Sequence, residues 1–197
     1  MVRAGLTTDR VVEAAADMAD DVGFENVTLS AMARRFGVKD ASLYSHVKNL
    51  KDLRERVALL AADEWAARIA AALAGRAGKD ALIAFAGAYR TFAVDHPGRY
   101  AATFMQLDPA VLAGSTAHRR ILELTSSLLL AYGLAEPDLT DAVRLLRSTF
   151  HGYASLEAIG AFGHPRDIEA SWERALHALH FTLENWASSD PSRAARG

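Results

Sequence analysis

Thr28-Leu29-Ser30-Ala31-Met32-Ala33-Arg34-Arg35-Phe36-Gly37-Val38-Lys39-Asp40-Ala41-Ser42-Leu43-Tyr44-Ser45-His46-Val47-Lys48-Asn49 reads as two short helical segments around a tight joint. Thr28 suits a helix N-cap, with Val27 and Met32 flanking it at hydrophobic-staple positions. Leu29, Met32, Ala33 and Phe36 share one side of that helix, and Gly37 stops it as a C′ glycine does. Only Val38 and Lys39 separate Gly37 from a second segment, expected over residues 40–47. Val38, Leu43 and Val47 are its inward set. The opposite surface carries Lys39, Asp40, Ala41, Ser42 and Ser45, side chains small or polar enough for a helix to enter a major groove of about 12 Å. Tyr44, His46 and Lys48 cluster at its end, where donors can reach phosphates.

Upstream, Thr7 suits an N-cap, Leu6 and Val11 form a staple, and Gly23 closes a first helix. Downstream, helical periodicity predicts segments over residues 50–74, 79–95, 99–107, 109–132 with a break near Gly114, 138–162 and 166–186. Proline and glycine punctuate the joints. Nine helices and no credible strand give an all-α architecture.

The whole chain has 197 residues, 51% of them hydrophobic and 23% charged, a balance suited to a globular core. Without cysteine it has no disulfide framework, thiolate metal site or cysteine nucleophile. No stretch approaches the roughly 18 apolar residues of a membrane span. Residues 1–6 lack a signal peptide's apolar region, so the expected location is cytoplasmic, with no membrane partner. No G-x-S-x-G, G-x-x-x-x-G-K or H-E-x-x-H motif points to an enzyme, and no cofactor is expected.

Residues 8–56 resemble the N-terminal domain of TetR-family transcriptional regulators. The resemblance rests on the order T-x-x-x-x-A at Thr28–Ala33, then Gly37-Val38, then Leu43-Tyr44-x-His46-Val47-Lys48-Asn49 and Leu53. It implies a helix-turn-helix DNA-binding domain over residues 1–56, a ligand-binding and dimerisation domain over 57–187, and a flexible tail at 188–197. The implied function is a ligand-responsive transcriptional regulator, a repressor released from a palindromic operator by a small apolar or aromatic effector. Its partners would be double-stranded operator DNA, that effector and a second copy of the chain. By the same resemblance Thr28 caps a helix whose amides face a phosphate, and Ser30 reaches a base. Lys39, Asp40, Ala41, Ser42 and Ser45 form the recognition surface, while Tyr44, His46 and Lys48 contact phosphates. Leu50 stands where the family commonly has lysine, so Lys51 takes that contact. Lys39 or Asp40 stands where a Ser or Thr N-cap is common.

Charge narrows the footprint. Net charge is −2, and residues 1–56 balance nine basic against nine acidic side chains. Residues 30–51, however, set Asp40 alone against Arg34, Arg35, Lys39, Lys48 and Lys51. A patch this small implies few phosphate contacts per subunit and dependence on dimerisation.

The second domain carries aromatic residues at helical spacing. Phe85, Tyr89, Phe92 and His96 fall on one stripe, Tyr100 and Phe104 form an i, i+4 pair, and Phe150 and His151 follow on a later helix. With Glu157 they are the expected lining of an apolar effector cavity with a few polar tips, His151 and Glu157 forming a hydrogen-bonding pair. His96-Pro97-Gly98-Arg99-Tyr100 and Phe150-His151-Gly152 also resemble one TetR C-terminal subtype, with Arg147 in place of the tryptophan of its W-x-x-x-H-G motif. Val143 and Leu146, with Trp172, Leu179 and Leu183, line apolar faces of the last two helices and are the expected dimer interface, a four-helix bundle across a two-fold axis. Glu173, His177, His180 and Glu184 share another stripe. As a polar face they need no ligand; as a metal site they would make the chain a metal sensor or metal-dependent enzyme.

Overall fold

A computed structural model describes residues 6–186, and every regular element among them is helical, as the periodicity predicts. The α-helices are α1 Thr8–Val22, α2 Leu29–Phe36, α3 Leu50–Leu73, α4 Gly78–Asp95, α5 Pro97–Ala102, α6 Pro109–Gly114, α7 Thr116–Leu130, α8 Asp138–Ala158 and α9 Ile168–Glu184. Two 3-10 helices, Phe24–Asn26 and Asp40–Ser45, join them. The expected tail at 188–197 lies outside the described residues. No helix among the described residues is long and apolar enough to cross a membrane.

The local signals act where the sequence puts them. The Thr7 hydroxyl accepts from the Arg10 amide at 3.3 Å and the Thr28 hydroxyl from the Ala31 amide at 3.2 Å, capping α1 and α2. Gly37 adopts the left-handed conformation at φ 65°, and the Val38 amide reaches back to Ala33 O at 3.0 Å, a Schellman closure. That closure turns Val38 outward, 37% exposed, against the expected inward packing. The segment expected as a helix over 40–47 is a 3-10 helix, Asp40–Ser45. Ser45 donates its hydroxyl to Ser42 O at 2.8 Å, a side-chain bond that competes with α-helical pairing. Asn49 and Asp52 then cap α3: the Asp52 amide donates to Asn49 Oδ1 and the Lys48 amide to Asp52 Oδ2, both at 2.9 Å. The segment expected over 109–132 divides at Ser115 into α6 and α7, and α5 starts earlier than expected, with Pro97 in its first turn.

Two compact units divide the chain. One comprises the residues up to Ala67 together with Phe92–Arg119; the other comprises Arg68–Thr91 with the residues from Arg120 on. The boundary expected at 56/57 falls inside α3. In the first unit α1 packs against α5 so closely that a Cβ on Gly98 would lie 2.0 Å from the Ala19 carbonyl carbon and oxygen. Its core includes Val11, Ala15, Met32, Leu43, Leu53 and Phe92. The second unit has its own, with Leu82, Phe85, Leu129, Leu146, Phe150 and Leu183.

That second core includes most of the residues expected at the dimer interface. Leu146, Trp172, Leu179 and Leu183 are all buried within one chain, and Val143 is half-buried. An amphipathic stripe shows that a face is covered; here the chain's own helices cover it.

Candidate functional site

Leu43 and Val47 are fully or almost fully buried, at 0% and 2% exposure, and they anchor residues 40–47, the recognition element that the resemblance implies, to the first unit. Their burial turns the rest of that element outward. Lys39, Asp40, Ala41, Ser42, Tyr44 and Ser45 are all exposed, as are Thr28, Ser30, Lys48 and Lys51; His46 is half-buried. Tyr44 is 57% exposed, a large ring held in water by no neighbour's demand for apolar cover. The His46 carbonyl accepts from the Thr8 hydroxyl at 3.2 Å, so α1 fixes the far end of the element.

The basic side chains differ in what already holds them. Arg35, in the last turn of α2, lies 3.8 Å from Asp17 and 3.5 Å from Asp21. Lys51 is exposed and lies 3.6 Å from Oε1 of the half-buried Glu55, one turn on in α3. Arg54 is turned away from the face: its Nη2 donates to Glu25 O at 2.7 Å and Val27 O at 3.0 Å, and its guanidinium stacks over Phe24. Arg54 thus fixes the loop that presents the N-terminus of α2, a structural role that no local sequence signal marks. Ser30, expected to reach a base, instead donates to Asp40 Oδ2 at 2.8 Å.

The aromatic stripe is divided between the two units. In the first, Phe92 stacks on Trp65 at 6.0 Å, Tyr100 meets the same indole edge-on at 5.8 Å, and Phe104, 37% exposed, packs against Tyr100. His96 turns to α1, its Nδ1 3.0 Å from Asp20 Oδ2. Asp20 also accepts the Arg99 amide at 2.8 Å and the Arg99 guanidinium, so one carboxylate of α1 caps the first turn of α5. Arg99 further binds Asp17 at 2.8 Å and lies 3.1 Å from Glu64. In the second unit Phe85, Tyr89 and Phe150 are mutual neighbours at 5.6 to 6.4 Å, and Trp172 joins Phe150 at 5.7 Å.

His151 is exposed, whereas Glu157 is half-buried. Both Glu157 oxygens accept from Arg90, at 2.7 Å each, and Arg90 donates a third bond to Glu169 at 2.6 Å while lying over Trp172. The bonds to Glu157, outweighing the cost of burial, hold the Arg90 guanidinium above its ordinary pKa. Asp20, Trp65, Arg90 and Arg99 were all missing from the expected site. Arg99 stood inside a motif singled out in the sequence; its partners lie elsewhere in the chain.

The polar stripe on α9 does not assemble a metal centre. His180 Nδ1 lies 3.0 Å from the Tyr132 hydroxyl and Nε2 3.3 Å from Glu184, while Glu173 and His177 stay exposed. Among the described residues no group of three or more His, Asp or Glu side chains is placed to hold a metal ion. Burial, reinforced by Glu184, pushes the Tyr132 phenol up to about 12.

Comparison with known proteins agrees with this arrangement. Residues 82–179 match the family described as the tetracyclin repressor-like C-terminal domain. The chain is 32% identical over 187 residues to YobS, an HTH-type transcriptional regulator of Bacillus subtilis, covering 94% of this chain and 93% of that one. It is 37% identical over 161 residues to an HTH-type transcriptional regulator of Mycobacterium tuberculosis, covering 80% and 72%. Among solved structures, BioQ of Mycobacterium smegmatis superposes with a TM-score of 0.66 at 24% identity, covering 91% of this chain and 98% of that one, a likeness of fold. BioQ has also been crystallised with its double-stranded DNA operator.

Proposed function

The chain belongs to the TetR family of HTH-type transcriptional regulators, and from that premise we propose that it is a homodimeric repressor, released from a palindromic operator by a small apolar or aromatic effector. The observation that carries this reading is the recognition element: Leu43 and Val47 are buried, and every small or polar neighbour from Lys39 to Ser45 points out. Residues 1–56 contact DNA, residues 57–187 bind effector and dimerise, and the chain acts in the cytoplasm without catalysis. α1 links the two activities. One of its ends holds the recognition element through Thr8, and the other holds α5 through Asp20. An effector that favours one position of α5 therefore biases the recognition element, to the extent of its differential affinity for the two states.

Phosphate contacts fix position without reading sequence, so Tyr44→Ala and Lys48→Ala weaken binding to every duplex. Lys48→Ala lowers the slope of log affinity against log salt by about 1 per subunit. Ser42→Ala and Lys39→Ala instead change the preference between operators. Titrations at several salt concentrations check this, and unchanged affinity in all four variants would put the DNA on another face.

The dimer uses what α8 and α9 leave uncovered. Phe181 is 67% exposed on the side of α9 opposite Leu179 and Leu183, in a stripe with Ala170, Arg174 and His177. Phe181→Glu therefore yields a folded monomer at micromolar concentration. Leu179→Glu unfolds the second unit, since it buries an uncompensated charge. Sedimentation equilibrium with circular dichroism separates the two results. A Phe181→Glu variant that stays dimeric would move the interface elsewhere.

A further inference from the structure

We propose that Asp40 reads a cytosine in the operator, accepting a hydrogen bond from its exocyclic N4 amine, with Ser30 as the positioning residue that aims the carboxylate. The inference rests on the DNA-binding reading above and deepens it by naming a base. Asp40 is the first residue of the recognition element, the end that meets base edges when such an element enters the major groove. It is exposed, and the Ser30 hydroxyl donates to its Oδ2 at 2.8 Å.

The choice of partner matters. Arg34 and Arg35 lie in the last turn of α2 and Lys39 precedes Asp40, yet among the described residues no cation pairs with this carboxylate. Arg35 goes to Asp17 and Asp21 instead. A neutral hydroxyl fixes the direction of the carboxylate and leaves its charge and Oδ1 unspent. Such a group is an acceptor only. In the major groove guanine offers N7 and O6, both acceptors, and thymine offers O4, another acceptor; each would face a carboxylate with no proton between them. Cytosine presents N4–H and no acceptor. Adenine presents N6–H beside the N7 acceptor, a pattern that suits an amide better than a carboxylate. Arg34, Lys39 and Lys48, all exposed, bring positive charge that offsets the repulsion between Asp40 and the phosphates.

The test is a selection from a random double-stranded DNA library with the full chain, wild type against Asp40→Asn, Ser30→Ala and Ser30→Thr, each first shown to melt as wild type does. Wild-type sites should carry cytosine at one symmetric position per half-site, and placing guanine or thymine there should weaken binding by about tenfold. Asp40→Asn should move that position to adenine, because an amide pairs with N6 and N7 together. Ser30→Ala should relax the preference at that position alone, and Ser30→Thr, which keeps the hydroxyl, should restore it. Enriched wild-type sites without the cytosine, or with a cytosine that survives Asp40→Asn, would overturn the assignment while leaving the DNA-binding reading intact. A wild-type chain that enriches no sequence would overturn both.

Discussion

Gly98→Ala should destabilise the first unit by about 3 kcal/mol or more, lowering its Tm by roughly 10 °C. The added methyl has nowhere to go. It would lie 2.0 Å from the carbonyl carbon and oxygen of Ala19 and 2.5 Å from the Asp20 amide, and these are backbone atoms of a capped helix rather than the flexible end of a side chain. The contact between α1 and α5 must open. Opening it also separates Asp20 from His96 and Arg99, three polar groups that then sit in a partly stripped environment. Gly87→Ala supplies the control: a Cβ there meets nothing within 4 Å, and alanine is the better helix former by up to about 1 kcal/mol. Thermal melting followed by circular dichroism checks both. A Gly98→Ala variant that melts with wild type would mean that α1 and α5 do not approach as closely as described. If the first unit also relays the effector signal, Gly98→Ala should bind operator weakly with or without effector at temperatures where it stays folded.

Arg90→Met should cost the second unit about 2–3 kcal/mol. Methionine keeps the stem over Trp172 but removes all three charge-assisted bonds. Glu157, 19% exposed, loses both of its bonds to Arg90 at once, while Glu169, 62% exposed, is resolvated at little cost. The asymmetry predicts a strong coupling between positions 90 and 157. Arg90→Met with Glu157→Leu should recover most of the loss, because an apolar pair replaces a stranded carboxylate. Urea unfolding of the two single variants and the double variant closes the cycle. Coupling below about 0.5 kcal/mol would reduce the Arg90–Glu157 pair to an exposed ion pair of ordinary worth.

Much of the fold is legible because its determinants are local. Thr7 and Thr28 cap helices within three residues of themselves, and Gly37 takes the one backbone conformation a Schellman turn needs. The spacing of Leu43 and Val47 already says which side of the recognition element faces in, and so which side faces a partner. For the same reason the outward set Lys39, Asp40, Ala41, Ser42 and Ser45 is legible residue by residue. Val38, expected inward, is turned out by the closure at Gly37, and Ser30 meets Asp40 across the turn between two elements.

The regulatory half was less legible. Phe85, Tyr89, Phe92 and His96 do share a helical stripe, yet the chain uses the stripe twice: Phe85 and Tyr89 meet Phe150, while Phe92 and His96 meet Trp65 and Asp20. The sequence by itself determined the helices, their caps, the helix-turn-helix and its outward face, since each depends on interactions between residues a turn or less apart. Only the tertiary structure decided that Asp20 caps a helix 79 residues on, that Arg90 clamps Glu157 across 67 residues, and that Leu179 is buried while Phe181 is left outside. Periodicity records that a helix has an apolar face. What covers that face depends on the competition of all the helices for burial, and that competition is settled only when the whole chain has folded.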